Sequence, residues 1–396
     1  MAGPHVVVSR KGANRIRSGH PWVYRSDIVK AANVPAGTLA LVVDEQGRRL
    51  GSALYSDASE IAVRLLSRTA LEPERLVSTI RERIREAQAY RERVVRDTNA
   101  YRVIFSEADG LPGLIVDRYN DVLSLQVLTQ AMDRQEIRDA VIAELAELFP
   151  AAGISERVDE RIRELEQLPP RSGGLIHGEK SATTIMMNGL QLRYDGLSGQ
   201  KTGAFLDQRE NYAAAARYGR GNALDVFCYQ GGFALHLARV CEHVTGVDAS
   251  RAALEAADEN AALNRDALGG RDIEWIEANA FDLLRGYADE GRQFDTIVLD
   301  PPAFAKNKRS LPTALRGYKE LNLRALKMLR PGGTLVTCSC SFHVSETDFI
   351  EMLAAASLDA HRELRVLEKR GQALDHPSVL NVPETSYLKC VIAGVR

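Results

Sequence analysis

The chain has 396 residues, 45% of them hydrophobic and 26% charged, with a formal net charge of −2. That length exceeds one ordinary domain and suits two or three, and the near-neutral charge excludes a globally basic nucleic-acid binder, so any RNA contact has to come from local basic patches. No apolar run reaches the roughly 20 residues of a membrane helix, and the opening MAGPHVVVSRKGANR has no apolar signal-peptide core; the expectation is a cytoplasmic protein without membrane contact. Five cysteines, an odd number that includes one C-x-C pair, argue for a reducing compartment rather than a disulfide framework. Neither CxxC…CxxC nor HExxH occurs, and no metal site is expected.

Residues 1–68 form the first expected domain, small and strand-rich. HVVVSRKGANRIRSGHPWVYRSDI gives a strand, a basic helical turn and a Gly-His-Pro-Trp corner, and two more strand-like stretches meet at a Gln-Gly turn. Arg10, Lys11, Arg15, Arg17, Arg25 and Lys30 face one acid, Asp27, within the first thirty residues. Residues 69–185 read as a second, α+β domain. Pro73 fits a first helical turn, and Leu76, Ile80, Ile84 and Ala87 recur at helical spacing. DRQEIRDAVIAELAELF reads as a helix opening on Asp133, and TTIMMNGLQLRYDG as a hairpin turning at Asn-Gly.

From about 186 to 396 the pattern changes. The apolar runs ALDVFCY, HVTGVD, IEWIEAN, FDTIVLD and TLVTCSC alternate with helical stretches, which predicts a parallel sheet flanked by helices. Ligands of such sheets sit at the carboxyl ends of the strands. The first strand leads from Asp225 into Gly231 and Gly232, the second ends in Asp248, the third in Asn279 and Phe281. A dinucleotide site would want G-x-G-x-x-G, which is absent. An acid before a glycine turn and a second acid suited to a ribose diol fit S-adenosylmethionine better, with Asn279 and Phe281 available to the adenine.

The fourth strand ends in DPPAF. Two prolines stiffen a loop suited to a flat substrate, and Asp300 can accept a hydrogen bond from an exocyclic amine such as N4 of cytosine. Lys306, Lys308, Arg309, Arg316 and Lys319 follow, a basic segment fitted to phosphate. The fifth strand ends in TCSCS, next to Asp300 if the strand order is that of methyltransferases. A cysteine thiolate adding to C6 of cytosine makes C5 nucleophilic enough to take a methyl group. The alternative for either thiol is a small buried hydrophobe.

The chain resembles the bacterial 23S rRNA (cytosine-C5) methyltransferases that carry an N-terminal PUA domain. RKGANRIRSGHPWVYRSDI resembles the start of that PUA domain and EADGLPGLIVDRY the middle domain. KTGAFLDQRENY, DVFCYQGGF, LDPPAFAKNK, RGYKELN, CSCSF and DHPSVLNVPETSYLK resemble successive segments of the methyltransferase part. The resemblance implies a Rossmann-like methyltransferase domain at the C-terminus, a β-rich PUA domain and a small α+β middle domain before it, and S-adenosyl-L-methionine as cofactor. It assigns Lys201, Asp207, Gln208 and Arg209 to enclosing the cofactor. Asp225, Phe227 and Gly231 fall at its methionine end, Asp248 at the ribose, Asn279 and Ala280 at the adenine, and Asp300 near the methyl and the target base. The nucleophile corresponds to Cys340, through its spacing to Glu346; Cys338, led by Thr337, is the alternative. Where many RNA cytosine-C5 enzymes have a second cysteine after the proline loop, this chain has Ala303, so Cys338, another base or water must assist elimination.

The implied partner is 23S ribosomal RNA, free or in a ribosomal particle, contacted through Arg15, Arg17, Arg25, Lys306, Lys308 and Arg309; a homodimer is left open. Two rival readings remain at this point. An N2-guanine rRNA methyltransferase shares a similar DPPxF loop but needs no thiol. An RNA-binding assembly factor could keep the fold without turnover.

Overall fold

The computed structural model describes residues 4–150, 152–197, 205–305 and 307–396. The chain divides into two compact units, one of Met1–Thr183, Tyr194–Lys201 and Leu374–Thr385, the other of Thr184–Arg193, Thr202–Ala373 and Ser386–Arg396. The expected boundary at 68/69 separates two sheets that belong to the same unit, each with its own core.

The first of those sheets has six strands in the order Trp22–Tyr24, Ile61–Ser67, Arg49–Tyr55, Leu39–Asp44, His5–Val8, Ile28–Ala32. Alternation in His5–Val8 sends Val6 and Val8 fully into the core, where they meet Ile16 of the helix Arg10–Arg17. Ser9 starts that helix by accepting a hydrogen bond from the Gly12 amide at 3.2 Å. The second sheet runs Gly174–Gly178, Gly153–Arg157, Val122–Val127, Leu114–Tyr119, Ala100–Phe105. Its helix Leu76–Val94 buries Leu76, Ile80, Ile84 and Ala87, the stripe the spacing predicts.

Asp133 does not cap the following helix, which is Gln135–Leu148 with Arg134 before it. Its carboxylate instead pairs with Arg138 at 3.3 Å and Arg163 at 3.1 Å, because two buried guanidinium groups need an anion more than a helix end does. The segment Leu374–Thr385 is held in this unit by its own polar groups. Arg102 N donates to Asp375 Oδ2 at 2.8 Å, and His20 Nε2 lies 3.0 Å from Glu384 Oε2. The expected hairpin joins Ala182–Met187 to Leu190–Asp195, with Asn188 at φ 51° and Gly189 at φ 80° as its turn requires.

The other unit is built on seven strands: β1 Asn222–Val226, β2 His243–Asp248, β3 Ile273–Glu277, β4 Phe294–Leu299, β5 Leu329–Ser339, β6 Leu364–Arg370 and β7 Lys389–Val395. Their order is β3-β2-β1-β4-β5-β7-β6, all parallel except β7, which runs antiparallel between β5 and β6. Helix α1 Arg209–Tyr218 precedes β1, and α2 Gly232–Ala238, α3 Arg251–Leu263, α4 Ala280–Asp289, α5 Leu311–Met328 and α6 Glu346–Asp359 supply connections between strands. Residues Ala223–Val226 of β1 are all buried, as a central parallel strand covered on both faces demands. The strand order reverses between β1 and β4, which opens a crevice at their carboxyl ends. This is the Rossmann-like arrangement the sequence predicts. No helix among the described residues is long and apolar enough to cross a membrane.

Candidate active site

The crevice is shaped first by the loop after β1. Phe227, Tyr229 and Gly231 all take positive φ (68°, 49° and 84°), and the amides of Phe227 and Cys228 are held on Val247 O at 2.8 and 3.0 Å. Two non-glycine residues in the left-handed region are a strained arrangement that the surrounding bonds must sustain. Gly232 is fixed by packing: a Cβ there would stand 2.5 Å from Cζ of Tyr212. The result is a cleft lined by Phe205, Tyr212, Phe227, Tyr229, Gln230 and Asp300, among others.

Its lining is mostly aromatic, with Asp300 as its carboxyl and Asp225 buried nearby on β1. Asp225 is fully buried; its Oδ2 accepts from Ala234 N at 2.8 Å while its Oδ1 has no hydrogen-bond partner. Burial, then the neighbouring Asp300, pushes its carboxyl well above the usual range. Asp300 opens on the cleft while protein surrounds the rest of its carboxyl, and burial with the charge of Asp207 raises it to about 7. Gln208 Nε2 donates to Asp300 Oδ1 at 2.9 Å and is itself oriented by Asn211, whose Nδ2 donates to Gln208 Oε1 at 2.7 Å. Asp207 is held by Tyr387 OH at 2.6 Å. Arg209 is buried at the start of α1.

At the end of β2, Asp248 accepts from Tyr229 N at 3.0 Å and from Ser250 N at 2.9 Å, one bond on each oxygen, which fixes its plane and leaves acceptor capacity for a diol. Asn279 is the N-cap of α4, its Oδ1 accepting from the Phe281 and Asp282 amides at 3.0 and 3.3 Å. Its amide NH₂ is then the group left for a ligand. Ala280, next in the chain, is buried.

β4 and β5 are parallel neighbours, so the DPP turn and the CSC segment end side by side, as expected. The Cys340 thiol lies 3.9 Å from Pro301 O and is partly exposed. Cys338 is fully buried, directly opposite Cys390 on β7. Burial raises both thiols, Cys338 well above the ordinary range and Cys340 to about 12, the latter helped by the charges of Asp300 and Asp207. Hydroxyls secure the backbone on either side of Cys340. Ser339 Oγ donates to Tyr318 OH at 3.0 Å, Tyr318 OH meets Ser341 Oγ at 3.0 Å, and Ala305 N of the proline loop donates to Ser341 Oγ at 3.1 Å.

Gln208, Asp225, Phe227, Gly231, Asp300, Cys338 and Cys340 therefore lie at the carboxyl ends of β1, β4 and β5 or on the segment that packs there, with Asp248 and Asn279 at the ends of β2 and β3. Lys201 and Lys306 lie outside the described residues. Lys308 and Arg309 are exposed on a short 3₁₀ turn before α5. In the other unit Arg15 stacks on Tyr24 with its guanidinium carbon 4.4 Å from the ring centre, and Arg17 pairs with Asp44 at 2.5 Å. Arg25 is turned onto the carbonyls of Ser56 and Ser59, a framework role. A groove lined by Arg17, Arg48, Arg49 and Arg68 was not apparent from the first thirty residues, because three of these arginines come from later strands and turns. Sequence reasoning also passed over Tyr229, Gln230, Tyr387 and Lys389. The first two sit inside the glycine turn it singled out, the last two inside SYLK.

The carboxyl ends of the strands around the cleft fit a cationic ligand with a diol. They carry two enclosed carboxyls, one with an orphaned oxygen, a buried Gln230 Oε1 also without a donor, and a fixed carboxylate at β2. S-adenosylmethionine has those features: a sulfonium, an ammonium and a ribose. Among the described residues no group of three or more metal-ligating side chains occurs.

Comparison with known proteins gives the same answer. A family model described as a PUA-like domain matches residues 6–68, and one described as an S-adenosylmethionine-dependent methyltransferase matches residues 130–384. Ribosomal RNA large subunit methyltransferase I of Shewanella denitrificans is 42% identical over 386 residues, 95% of each chain. The protein of that name from Tolumonas auensis is 40% identical over 382 residues, 94% of each chain. Among solved structures, a methyltransferase complexed with SAH superposes with a TM-score of 0.84 at 18% identity, covering 98% of this chain and 99% of the other, which supports the fold. With its cofactor therefore S-adenosylmethionine, this chain belongs to the S-adenosylmethionine-dependent methyltransferase family that includes the relatives called ribosomal RNA large subunit methyltransferase I.

Proposed function

We propose that the protein methylates C5 of a cytosine in large-subunit (23S) ribosomal RNA, with Cys340 as the nucleophile. The observation that carries the reading is a partly exposed thiol, Cys340, set 3.9 Å from the carbonyl of Pro301 in the turn that begins at Asp300. The names of the relatives supply the substrate class, large-subunit ribosomal RNA.

The bound cofactor supplies an electrophilic methyl group. The chain supplies the rest. The Cys340 thiolate forms a bond to C6, and the C5=C6 electron pair moves so that C5 can attack the methyl. Once C5 carries the methyl, its hydrogen leaves as a proton to a base, the S–C6 bond breaks, and the double bond and thiolate are restored. Asp300, held by Gln208, accepts from the N4 amine and orients the ring. Its elevated position near 7 keeps it able to exchange a proton with the ring during the reaction. Cys338 is less suited to attack because it has no exposure at all. The substrate base is taken out of any stack before reaction, at a cost of about a few kcal/mol, less in a loop.

RNA backbone contacts are assigned to the PUA-like domain through Arg15 and Arg17 and the neighbouring groove of Arg48, Arg49 and Arg68, with Lys308 and Arg309 on the methyltransferase domain. Phosphate contacts of this kind position an RNA without reading its sequence. Nucleoside analysis of RNA treated with the enzyme and cofactor tests the reading. 5-Methylcytidine is expected; N2-methylguanosine would replace it with the guanine alternative.

A further inference from the structure

Elimination and attack both ask for something the sequence does not provide in an obvious place: a charge that favours sulfur as an anion beside two carboxylates. β5 and β7 are antiparallel, with Ser339 opposite Lys389, so the first residue of β7 lies next to the turn that carries Cys340. Lys389 does not extend away from that turn. Its Nζ donates to Ser341 O and to Tyr387 O, each at 2.7 Å, which folds the ammonium over the residue following Cys340. Both partners are neutral carbonyls. No carboxylate lies within ion-pair distance of this ammonium among the described residues, so its charge is not cancelled locally.

The charged groups around the thiol come from every side of it. Asp300 ends β4 and Asp207 precedes α1, and both oppose ionisation of Cys340; Lys389 from β7 favours it, as does the backbone of Cys340 itself. Asp348 on α6 acts on Lys389 in turn. Of these groups, Lys389 is the cation.

We propose that Lys389 is a positioning residue that pins the Cys340 turn through Ser341 O and sets a positive charge beside the sulfur, stabilising the thiolate before attack and when it leaves C6. The inference rests on the reading of Cys340 as nucleophile, and it gives a role to a residue in SYLK outside the proposed cofactor-binding set. Partial burial already lowers the Lys389 ammonium to about 8, so it is a cation that responds to its surroundings rather than a fully solvated one.

The test reads the thiol itself. The rate of Cys340 alkylation by iodoacetamide is followed from pH 6.5 to 9.5 by peptide mass spectrometry on the full chain, for wild type, Lys389→Gln, Lys389→Met and Lys389→Arg. Below the thiol pKa the rate tracks the thiolate fraction. Gln and Met are expected to slow it about tenfold at pH 7, where the Lys389 ammonium is mostly charged, and Arg to restore most of the rate, while S-adenosylmethionine affinity shows that each variant is folded. Wild-type rates in both neutral variants would overturn the proposal. So would full rescue by Gln, which keeps a donor but no charge. This measurement involves no RNA, so its outcome is distinct from the failure of Cys340 as nucleophile, which would appear as loss of any adduct with substrate RNA while the alkylation rates still depended on Lys389.

Discussion

On the reading that sets Asp300 near the cofactor's methyl, cofactor affinity is expected to depend on pH in a direction given by its raised carboxyl. Its carboxyl stands near 7 in the free protein, raised by burial and by Asp207. Because that lies above the ordinary carboxyl value, the free fold loses stability as pH rises from about 4 through about 7, the reverse of a salt-bridged aspartate. A cation bound against Asp300 needs the ionised form and opposes that loss. The ionised fraction is about 90% at pH 8 and about 10% at pH 6, so S-adenosylmethionine affinity should fall about tenfold between them, or about 1.4 kcal/mol. Isothermal titration calorimetry at the two pH values measures this, with S-adenosylhomocysteine as the partner ligand. That ligand has the amino acid and ribose but no sulfonium, so the ratio of the two affinities isolates the carboxylate–sulfonium pairing. In Asp300→Asn the ratio should lose its pH dependence. A ratio that does not change between pH 6 and pH 8 in the wild type would refute the reasoning.

Asp225→Asn keeps an acceptor for the Ala234 amide but places an NH₂ where an orphaned oxygen stood; S-adenosylmethionine affinity should drop by at least about tenfold by calorimetry, with circular dichroism unchanged. Gly232→Ala puts a methyl group 2.5 Å from the ring of Tyr212, and should cost about 1–3 kcal/mol, read as a lowered Tm and a raised KM for the cofactor. Arg48→Ala with Arg49→Ala should weaken RNA binding and flatten its salt dependence by about one to two counterions, measured by filter binding at several salt concentrations, while cofactor affinity stays as in the wild type.

Much of the methyltransferase domain is legible in the sequence because parallel strands buried on both faces leave continuous apolar runs, and their ends mark the ligand site. The placement of Asp225, Gly231, Asp248, Asn279 and Asp300 at or just past strand ends follows from that rule alone. The stripe Leu76, Ile80, Ile84, Ala87 and the Asn188-Gly189 turn were equally open to reading, since both are local. What stayed hidden depends on pairing between distant segments. Lys389 reaches the Cys340 turn only because β7 inserts antiparallel beside β5, and nothing local in SYLK announces that register. The arginine groove is assembled from Arg17, Arg48, Arg49 and Arg68, whose proximity is set by sheet order. Asp133, readable as a helix cap, is instead claimed by Arg138 and by Arg163 thirty residues later. The role of Asn279 was visible in part: a strand-end residue with a ligand-facing chemistry also caps a helix, and the cap takes its oxygen.

The most direct measurement is to incubate the protein and cofactor with RNA carrying 5-fluorocytidine at the target position and to look for a product that survives denaturation. Fluorine at C5 cannot leave as a proton does, so a sulfur–C6 bond should persist in the wild type and in Cys338→Ala, and be missing in Cys340→Ala. Persistence of the crosslink in Cys340→Ala, or undiminished 5-methylcytidine formation on ordinary RNA by Cys340→Ser, would contradict the account.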